Sequence, residues 1–317
     1  MSRLAEQLLR RLEFTVVRRL DGLLHGDYRT LFRGHGLDLA DLREYQYHDD
    51  VRHIDWNVTA RQQVPYVRDF YEDRDLNAWF LLDLSPSIDF GSGPLTKRAI
   101  SIDFVTVLAR LLTRHGNRVG GIFYGDRIDR VVPSRGGRKQ VLHLADTMLA
   151  PRAVPKRPAG GATTDLGGLL SGALAIVPRR SLIFIVSDFL CQPGWGKPLK
   201  ALAQRHEVVG VRLYDPLETS LPNLGLIMME DAETGEQLFV DTHDRGFRRR
   251  FEAQAEAREN ALRDAFAEAG VDALELATDE PLVDAIVRFV EMRKLRGRLS
   301  GGGASGGAGP ATHLVGA

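Results

Sequence analysis

The chain from Leu76 onward alternates short apolar runs with stretches of helical periodicity. Several of the runs have the length and composition of buried strands. They are Trp79–Leu82, Gly120–Tyr124, Leu182–Val186, Val208–Leu213 and Ala273–Leu276. A further run, Ile128–Val132, follows a Gly-Asp turn and is expected to pair antiparallel with the run before it. Apolar strands separated by helices are typical of parallel sheets covered on both faces, so the pattern predicts an α/β fold with a doubly wound, mainly parallel sheet.

The helical periods that fill the gaps are clearest in three places. Apolar positions from Ile100 to Leu111 share one face, and Gly116 suits the end of that helix. A second helix is predicted from Asp165 to the helix-breaking Pro178, and the last carries a wide apolar face from Leu282 to Val290. A long charged helix is expected from about Phe247 to Phe266.

The pattern divides the chain into three parts. Residues 1–75 begin with an amphipathic helix and continue into a polar segment rich in Arg, Asp, His and aromatic residues. The apolar positions of that helix are Leu4, Leu8, Leu9 and Leu12. Residues 76–296 hold the sheet, with a hairpin of Leu226–Met229 and Gln237–Val240 inserted near residues 216–245. Residues 297–317, rich in Gly, Ala and Ser, are expected to form a flexible tail.

The composition limits size, partners and compartment. The 317 residues, of which 44% are hydrophobic and 26% charged, can bury a sizeable core. Lys and Arg number 42, as do Asp and Glu, so no overall basic field favours nucleic acid. The single cysteine, Cys191, excludes an internal disulfide. The N-terminal stretch lacks a signal peptide's apolar core and no window reaches the ~20 apolar residues of a membrane span, so we expect a soluble, cytoplasmic protein.

Oxygen-bearing side chains follow two of the predicted strands. Asp83, Ser85 and Ser87 come directly after the run that ends at Leu82, and Ser187 and Asp188 end a second run. Thr163 and Thr164 open a helix pattern that starts at Asp165. In open α/β sheets, ligands bind outside the carboxyl ends of the strands, where these residues would meet. Oxygen-only ligands suit Mg²⁺, Mn²⁺ or Ca²⁺, so the sequence predicts a cation site.

This constellation resembles the metal-ion-dependent adhesion site of von Willebrand factor A domains. The resemblance implies that Ser85, Ser87 and Thr164 ligate the cation directly, and that Asp83 and Asp188 act directly or through water. Thr163 is an alternative to Thr164. The resemblance also implies that a partner's carboxylate completes the metal shell, so that the cation joins two proteins and does not catalyse a reaction.

A second resemblance rests on the segment before the sheet. The residues that carry it are Gly34–Leu37, Leu42–Tyr45, Asp49–Trp56, Thr59–Arg61 and Tyr66–Arg68. They resemble the bacterial family called domain of unknown function 58, and the resemblance covers about residues 20 to 296. It implies a von Willebrand factor A-like protein that works with a MoxR-type AAA+ ATPase and its client in chaperone-like assembly or remodelling.

The charged residues of that segment have three possible roles. Arg43, Arg52, Arg61 and Arg68 alternate in sequence with acidic residues, and they would form a buried or interfacial ion-pair network with Trp56 and Tyr45 as apolar anchors. Alternatively, the same residue types would make a partner-binding surface. A metal site made of His48, Asp50, His53 and Asp55 is a third reading, although the spacing matches no recognised zinc pattern.

Enzymatic motifs are not found around the strand ends. A haloacid-dehalogenase-like phosphotransferase needs a second carboxylate where this chain has Ser85, and neither Ser85 nor Ser87 lies in a Gly-x-Ser-x-Gly elbow. No P-loop occurs, so ATPase activity would belong to a partner. We therefore expect a non-enzymatic, metal-dependent protein-interaction module. The alternatives are a metal-dependent hydrolase acting on phosphoesters, or a nucleic-acid-binding or structural protein.

Overall fold

The computed structural model describes residues 2–24, 42–46, 54, 56–68, 76–151, 164–230 and 236–301. Its central feature is a six-stranded sheet with the order β10-β7-β6-β3-β4-β5. The strands of the chain are β1 Leu42–Glu44, β2 Tyr66–Arg68, β3 Asn77–Asp83, β4 Arg118–Tyr124, β5 Ile128–Arg135, β6 Leu182–Ser187, β7 Glu207–Tyr214, β8 Leu226–Glu230, β9 Gln237–Asp241 and β10 Asp272–Ala277. Each apolar run singled out in the sequence lies in one of these strands.

The sheet is parallel except at one edge. Strand β3 pairs in parallel with β4 and β6, and β7 pairs in parallel with β6 and β10. Strand β5 pairs antiparallel with β4 across a short turn. The predicted α/β fold with a mainly parallel sheet is therefore confirmed, including its antiparallel edge strand.

Helices cover both faces of the sheet. They are α1 Arg3–Leu12, α2 Arg18–Leu24, α3 Trp56–Gln62, α4 Lys97–Arg114, α5 Arg138–Leu149, α6 Leu166–Ile176, α7 Gly196–Arg205, α8 Arg245–Ala269 and α9 Leu282–Gly301. Because side chains alternate along a strand, Phe80 and Leu82 belong to one core and Leu81 to the other. Helices α1, α2, α4, α5 and α9 contribute to the first core, and α6, α7 and α8 to the second.

The helix ends follow local sequence signals. Thr96 caps α4 by accepting a hydrogen bond from the Ala99 amide at 3.2 Å, and Gly116 after that helix has φ +83°. Asp165 caps α6, as its place in the sequence predicts. Helix α9 extends to Gly301, so its last turn lies in the segment predicted to be a tail. The rest of that tail, 302–317, lies outside the described residues.

The N-terminal helix α1 packs on the first core, but its buried residues differ from the predicted ones. Ala5, Leu9 and Leu12 are buried, but Leu4 is 64% exposed. The prediction that Leu4 faces the core is therefore wrong, because small Ala5 takes that place. Ion pairs attach this region to the sheet's helices: Glu13 lies 2.7 Å from Arg110, and Glu6 lies 2.5 Å from Arg138.

The hairpin predicted near residues 216–245 is present. Strands β8 and β9 form a separate two-stranded antiparallel sheet in which Met228 pairs with Phe239. Within the ranges given above, no helix has the length and apolar character needed to cross a membrane.

Candidate functional site

The predicted cation ligands lie at the carboxyl edge of the two central strands. Asp83 is the last residue of β3, and Asp188 directly follows Ser187, the last residue of β6. These strands are neighbours, with Leu82 paired to Val186. All five predicted ligands are buried, with exposures of 2% for Asp83, 4% for Ser85 and Ser87, 6% for Thr164 and 3% for Asp188.

Both carboxylate oxygens of Asp83 accept hydrogen bonds. Oδ1 accepts from the Ser85 amide at 2.9 Å, and Oδ2 accepts from the Ser187 hydroxyl at 2.6 Å. Burial, together with the negative charge of Asp188, raises the pKa of Asp83 to about 6, although these hydrogen bonds act in the opposite direction. Asp83 is thus held rigidly, and bringing a positive charge close to it would favour its ionised form.

The two serines are brought together by a short 3-10 helix. This helix, Pro86–Asp89, follows Ser85 directly and turns the chain so that the Ser85 and Ser87 hydroxyl oxygens lie 3.0 Å apart. Pro86 suits the first position of such a turn because its φ is already fixed. Two hydroxyl oxygens at this separation can contact one ion.

Thr164 is tied to the loop that carries Asp188. Its carbonyl oxygen accepts a hydrogen bond of 3.1 Å from the Gln192 amide. Thr164 is described, but its alternative Thr163 lies outside the described residues, so the choice between the two threonines stays open.

A lysine that the sequence analysis missed lies inside the site. The ammonium of Lys97 is 2.7 Å from Asp188 Oδ2 and 2.5 Å from Glu218 Oε1, and its side chain has no exposed surface. Burial opposes the charged form, but Asp188 and Glu218 outweigh it and raise the pKa of Lys97 above its ordinary value. Lys97 could have been identified, because it precedes Ile100 by one helical turn on the buried stripe of α4.

Glu218 is positioned by a further buried carboxylate, that of Asp215. Asp215 accepts hydrogen bonds from the hydroxyls of Ser92 at 2.7 Å and Thr278 at 2.6 Å. It also caps the 3-10 helix Pro216–Glu218 in a capping box with Glu218. Burial acts to raise the pKa of Asp215, but the bonds from Ser92 and Thr278 hold it below its ordinary value. The loop after β3 is thereby joined to the ends of β7 and β10.

Phe189 gives the loop after Asp188 an unusual backbone. It has φ +57°, in the left-handed region that normally favours glycine. Its ring packs edge-to-face on Phe266 with centroids 5.1 Å apart and against Trp195 at 5.7 Å. Its carbonyl oxygen lies 3.6 Å from the Cys191 Sγ. The aromatic packing holds this turn beneath the site.

The donor set fits a hard cation. Carboxylate and hydroxyl oxygens are what Mg²⁺, Mn²⁺ and Ca²⁺ prefer, and no imidazole or thiol belongs to the predicted set. Among the residues of the site that the structure describes, Asp83, Asp188 and Glu218 carry three negative charges when ionised, against the one ammonium of Lys97. Lys97 already pairs with one oxygen of Asp188, so a cation would be held chiefly on the side of Asp83, Ser85 and Ser87.

The charged N-terminal segment is described only in part. Trp56 is 70% exposed and Tyr45 is half-buried, so Trp56 does not anchor a buried network, and the interfacial network and the partner-binding surface stay open as alternatives. His48, Asp50, His53 and Asp55 lie outside the described residues, as does Arg52. In the part of the chain that the structure describes, no group of three or more His, Cys, Asp or Glu side chains is placed to hold a metal ion.

Comparison with protein families and relatives gives a consistent match. The family model described as "Protein of unknown function DUF58" matches residues 41–261. An uncharacterized protein of Mycobacterium bovis and another of Mycobacterium tuberculosis are each 36% identical to this chain over 295 residues, covering 92% of this chain and 90% of the relative. An uncharacterized protein of Mycobacterium avium is 35% identical over 170 residues, covering 54% of this chain and 97% of the relative.

The solved structures that match this chain are more distant in sequence. The conserved hypothetical protein BatB from Bacteroides thetaiotaomicron is 13% identical with a TM-score of 0.43, covering 69% of this chain and 99% of that one. An aerotolerance-related membrane protein from Bacteroides fragilis is 11% identical with a TM-score of 0.45, covering 70% of this chain and 99% of that one.

Proposed function

Because the chain belongs to the DUF58 family, a family of unknown function, we propose that it is a non-enzymatic module that binds other proteins through a cation held at the sheet edge. The observation that supports this most is the pair of serine hydroxyls 3.0 Å apart beside the buried carboxylate of Asp83. Each hydroxyl oxygen has two lone pairs, so both oxygens can contact one cation in addition to the hydrogen bond between them.

The hydrogen bonds that each proposed ligand already makes determine how it would hold the cation. Ser85 and Ser87 would supply hydroxyl oxygens, and Thr164 a third. Asp83 already accepts two hydrogen bonds, so it would act mainly by its charge or through a bound water. When bound, the cation supplies an electrophilic site for a carboxylate of another protein, which gives the von Willebrand factor A-like character implied by the sequence.

The proposed partner is a MoxR-type AAA+ ATPase together with its client, as the family resemblance implies. Without a cation, the described cluster has more carboxylates than ammonium groups and would repel an acidic ligand. An acidic ligand is therefore expected to bind only when a cation is present. Docking would therefore depend on the metal, and nucleotide-driven motion of the ATPase would act on the client through this module.

The test is a native pull-down from the source cells, analysed by mass spectrometry, in Mg²⁺, in chelator and with Asp83→Ala. Asp126→Ala is a matched control, because Asp126 is exposed in the turn after β4 at the same edge of the sheet. Recovery of an AAA+ ATPase only with Mg²⁺, and only with the wild type and the control, supports the proposal. Recovery in all conditions keeps the partner but rejects the metal mechanism.

A phosphoester hydrolase is the second candidate, and the raised pKa of Asp83 favours it, because perturbed carboxyls are common in active sites. Turnover of a phosphoester by the pure protein, lost in Asp83→Ala and kept in Asp126→Ala, would replace the proposal with this one. Recovery of no ATPase in the pull-down would make this assay the next step.

A further inference from the structure

Helices α1 and α2 form one continuous helix with a single inward face. They are joined by a π-helical turn, Glu13–Val17, and both residues that flank this turn have helical backbone angles. Leu12 and Val17, five residues apart, would point in different directions in a regular α-helix, but the wider π turn returns them to the same side. The buried residues are Ala5, Leu9, Leu12, Val17 and Leu20. The exposed side of residues 3–23, called the outer face below, is therefore clearly separated from the inward side.

The acidic residues of this helix are directed at the body of the protein. The ion pairs are Glu6 with Arg138 of α5 at 2.5 Å, Glu13 with Arg110 of α4 at 2.7 Å and Asp21 with Arg114 of α4 at 2.5 Å. All three acidic residues are half-buried. Glu6 also lies 3.7 Å from Arg10, at the edge of the outer face. Most of the negative charge of the helix is thus neutralised by arginines that lie outside it.

The outer face combines arginines with large apolar side chains. Its exposed residues of these two kinds are Arg3, Leu4, Arg10, Arg11, Phe14, Arg18, Arg19 and Leu23. Arg11 pairs with Asp103 at 3.0 Å, but Arg3, Arg18 and Arg19 have no acidic partner in the part of the chain that the structure describes. The Arg18 guanidinium lies over the Phe14 ring, 5.0 Å from its centroid. The outer face is therefore cationic although the whole chain has no net charge.

The spacing of the apolar side chains distinguishes between possible ligands. Leu4, Phe14 and Leu23 are ten and nine residues apart, which is roughly 15 Å for each step along the helix. A protein partner would need a more contiguous apolar patch, and nucleic acid is bound chiefly through its phosphates, which need no exposed leucine. A lipid surface accepts separate apolar side chains, while arginines between them reach the headgroup phosphates. The pattern favours an anionic lipid surface.

We propose that the outer face binds the surface of an anionic lipid bilayer. The helix lies parallel to the bilayer plane, with Leu4, Phe14 and Leu23 entering the boundary between headgroups and acyl chains. The helix can approach a flat surface, because it packs on α4, α5 and α9 and so lies outside helices that cover the sheet. No residue of the outer face belongs to the cation site, so either proposal can fail without the other.

The small number of contacts determines the strength expected. Three separate apolar side chains and a few arginines give weak, reversible binding that salt reduces. Each basic residue near an anionic surface contributes roughly fivefold to binding. Reversing the charge of both Arg18 and Arg19 should therefore lower binding by at least about 25-fold.

The first experiment measures co-sedimentation with vesicles at low and high salt and in chelator. The wild type is expected to bind vesicles of equal parts phosphatidylcholine and phosphatidylglycerol, but not phosphatidylcholine alone, and chelator should make no difference. Phe14→Ser, and the double variant Arg18→Glu with Arg19→Glu, should each lose binding. All three side chains are exposed, so these variants should keep their fold, which circular dichroism checks.

Matched controls place the same changes elsewhere on the surface. Phe239→Ser removes an equally exposed phenylalanine from β9, and Arg249→Glu with Arg250→Glu reverses an exposed arginine pair of α8. Both controls should bind the mixed vesicles like the wild type. A loss of binding as large in the controls as in the outer-face variants would assign the binding to general surface charge and would overturn the proposal.

The second experiment locates the contact. Phe14→Trp places a fluorophore on the outer face, and brominated lipids in the same mixed vesicles should quench its additional emission relative to the wild type. Phe239→Trp is the control that should not be quenched.

Several results would contradict the proposal. They are failure of the wild type to bind the mixed vesicles, binding that Phe14→Ser leaves unchanged, and quenching of Phe239→Trp in place of Phe14→Trp. Retention of duplex DNA or of an acidic protein, but not of vesicles, that depends on Arg18 and Arg19 would also overturn it, because the outer face would then serve that polyanion.

Discussion

Two side chains, Phe189 and Lys97, hold the loops of the proposed site in place, although each is in a locally unfavourable state. Phe189 adopts φ +57° immediately after Asp188, although an L-residue in the left-handed region costs roughly 1–2 kcal/mol. Its ring packs on Phe266 and Trp195, which offsets that cost. Lys97 likewise has a buried charge, which Asp188 and Glu218 stabilise. At both residues, an unfavourable local state is offset by contacts that fix the positions of the loops around Asp83.

Substitutions at Phe189 separate backbone strain from packing. Both Phe189→Gly and Phe189→Ala should destabilise the protein, because each removes the buried ring. The glycine variant should be the more stable of the two by about 1 kcal/mol, since glycine adopts a positive φ without penalty. Urea denaturation measures both. An alanine variant more stable than the glycine variant, as in an ordinary helix, would contradict the left-handed backbone at this position.

Removing the buried charge of Lys97 is expected to lower the stability of the protein strongly. Lys97→Met should lower the free energy of unfolding by roughly 3–5 kcal/mol, because Asp188 is left buried without its partner. Mg²⁺ should then raise the melting temperature of the variant more than that of the wild type, because a cation can replace the missing charge.

Differential scanning calorimetry measures this, and Lys139→Met, on an exposed lysine of α5, is the control that should change neither quantity. Equal Mg²⁺ responses of Lys97→Met and the wild type would show that the lysine and the cation do not share Asp188.

At the scale of elements, close approach between a strand and a helix sets the second core. Gly210 lies in the middle of β7, and a Cβ added there would be 2.5 Å from the Phe266 Cζ of α8. The glycine thus admits the ring that also packs on Phe189. Because Phe189 follows Asp188, the packing of α8 against the sheet supports the loop at the site from below.

The contact between Gly210 and Phe266 predicts coupled stability effects. Gly210→Ala should destabilise the protein by about 1–3 kcal/mol through overpacking. The same substitution should cost less when Phe266→Leu is also present, because the smaller side chain can move away. A double-mutant cycle by chemical denaturation measures the coupling. Gly93→Ala is the control, since no atom lies within 4 Å of its added Cβ, and additive effects at 210 and 266 would show that the two positions do not touch.

The elements themselves were predictable from the sequence to different degrees. The strands were found because runs such as Trp79–Leu82 and Leu182–Val186 are apolar throughout, and only a doubly covered strand needs that pattern. Asp83 and Asp188 were placed correctly because strand ends are defined by the same runs. Glu218 was missed, because a charged residue in a partly buried loop becomes recognisable only when its partner, distant in sequence, is known. Lys97 was missed although its position one turn before Ile100 places it on the buried stripe of α4. The role of Leu4 was wrong because a leucine was preferred over Ala5 as the apolar contact.

At the scale of the whole molecule, the sheet has one hydrophobic core on each face, and a buried histidine beside the second core makes the free energy of unfolding depend on pH. The second core contains the start of β7, next to His206 at the end of α7. His206 is 4% exposed, and neither ring nitrogen has a hydrogen-bond partner among the residues that the structure describes. Burial, aided by the charges of Arg205 and Arg180, lowers the pKa of His206 from its ordinary value of 6.5.

The lowered pKa of His206 predicts an acid-dependent loss of stability. The unfolded chain takes up a proton at this residue near pH 6.5, but the folded chain does so only at lower pH. The contribution of His206 to stability is therefore complete above that value and is lost as pH falls toward the folded pKa. His206→Phe should flatten this part of the stability–pH curve, measured by denaturation between neutral and mildly acidic pH. A parallel fall in His206→Phe would assign the loss to other groups.

Cys191 is positioned so that a label attached to it would report binding at the proposed site. It is the one thiol of the chain, it is half-buried, and it follows Asp188 closely in the loop held by Phe189. A thiol-reactive fluorophore would therefore label a single position without any engineering of other cysteines. Its emission would report in real time on cation entry or on the arrival of a second protein, so the chain carries its own attachment point for an optical sensor.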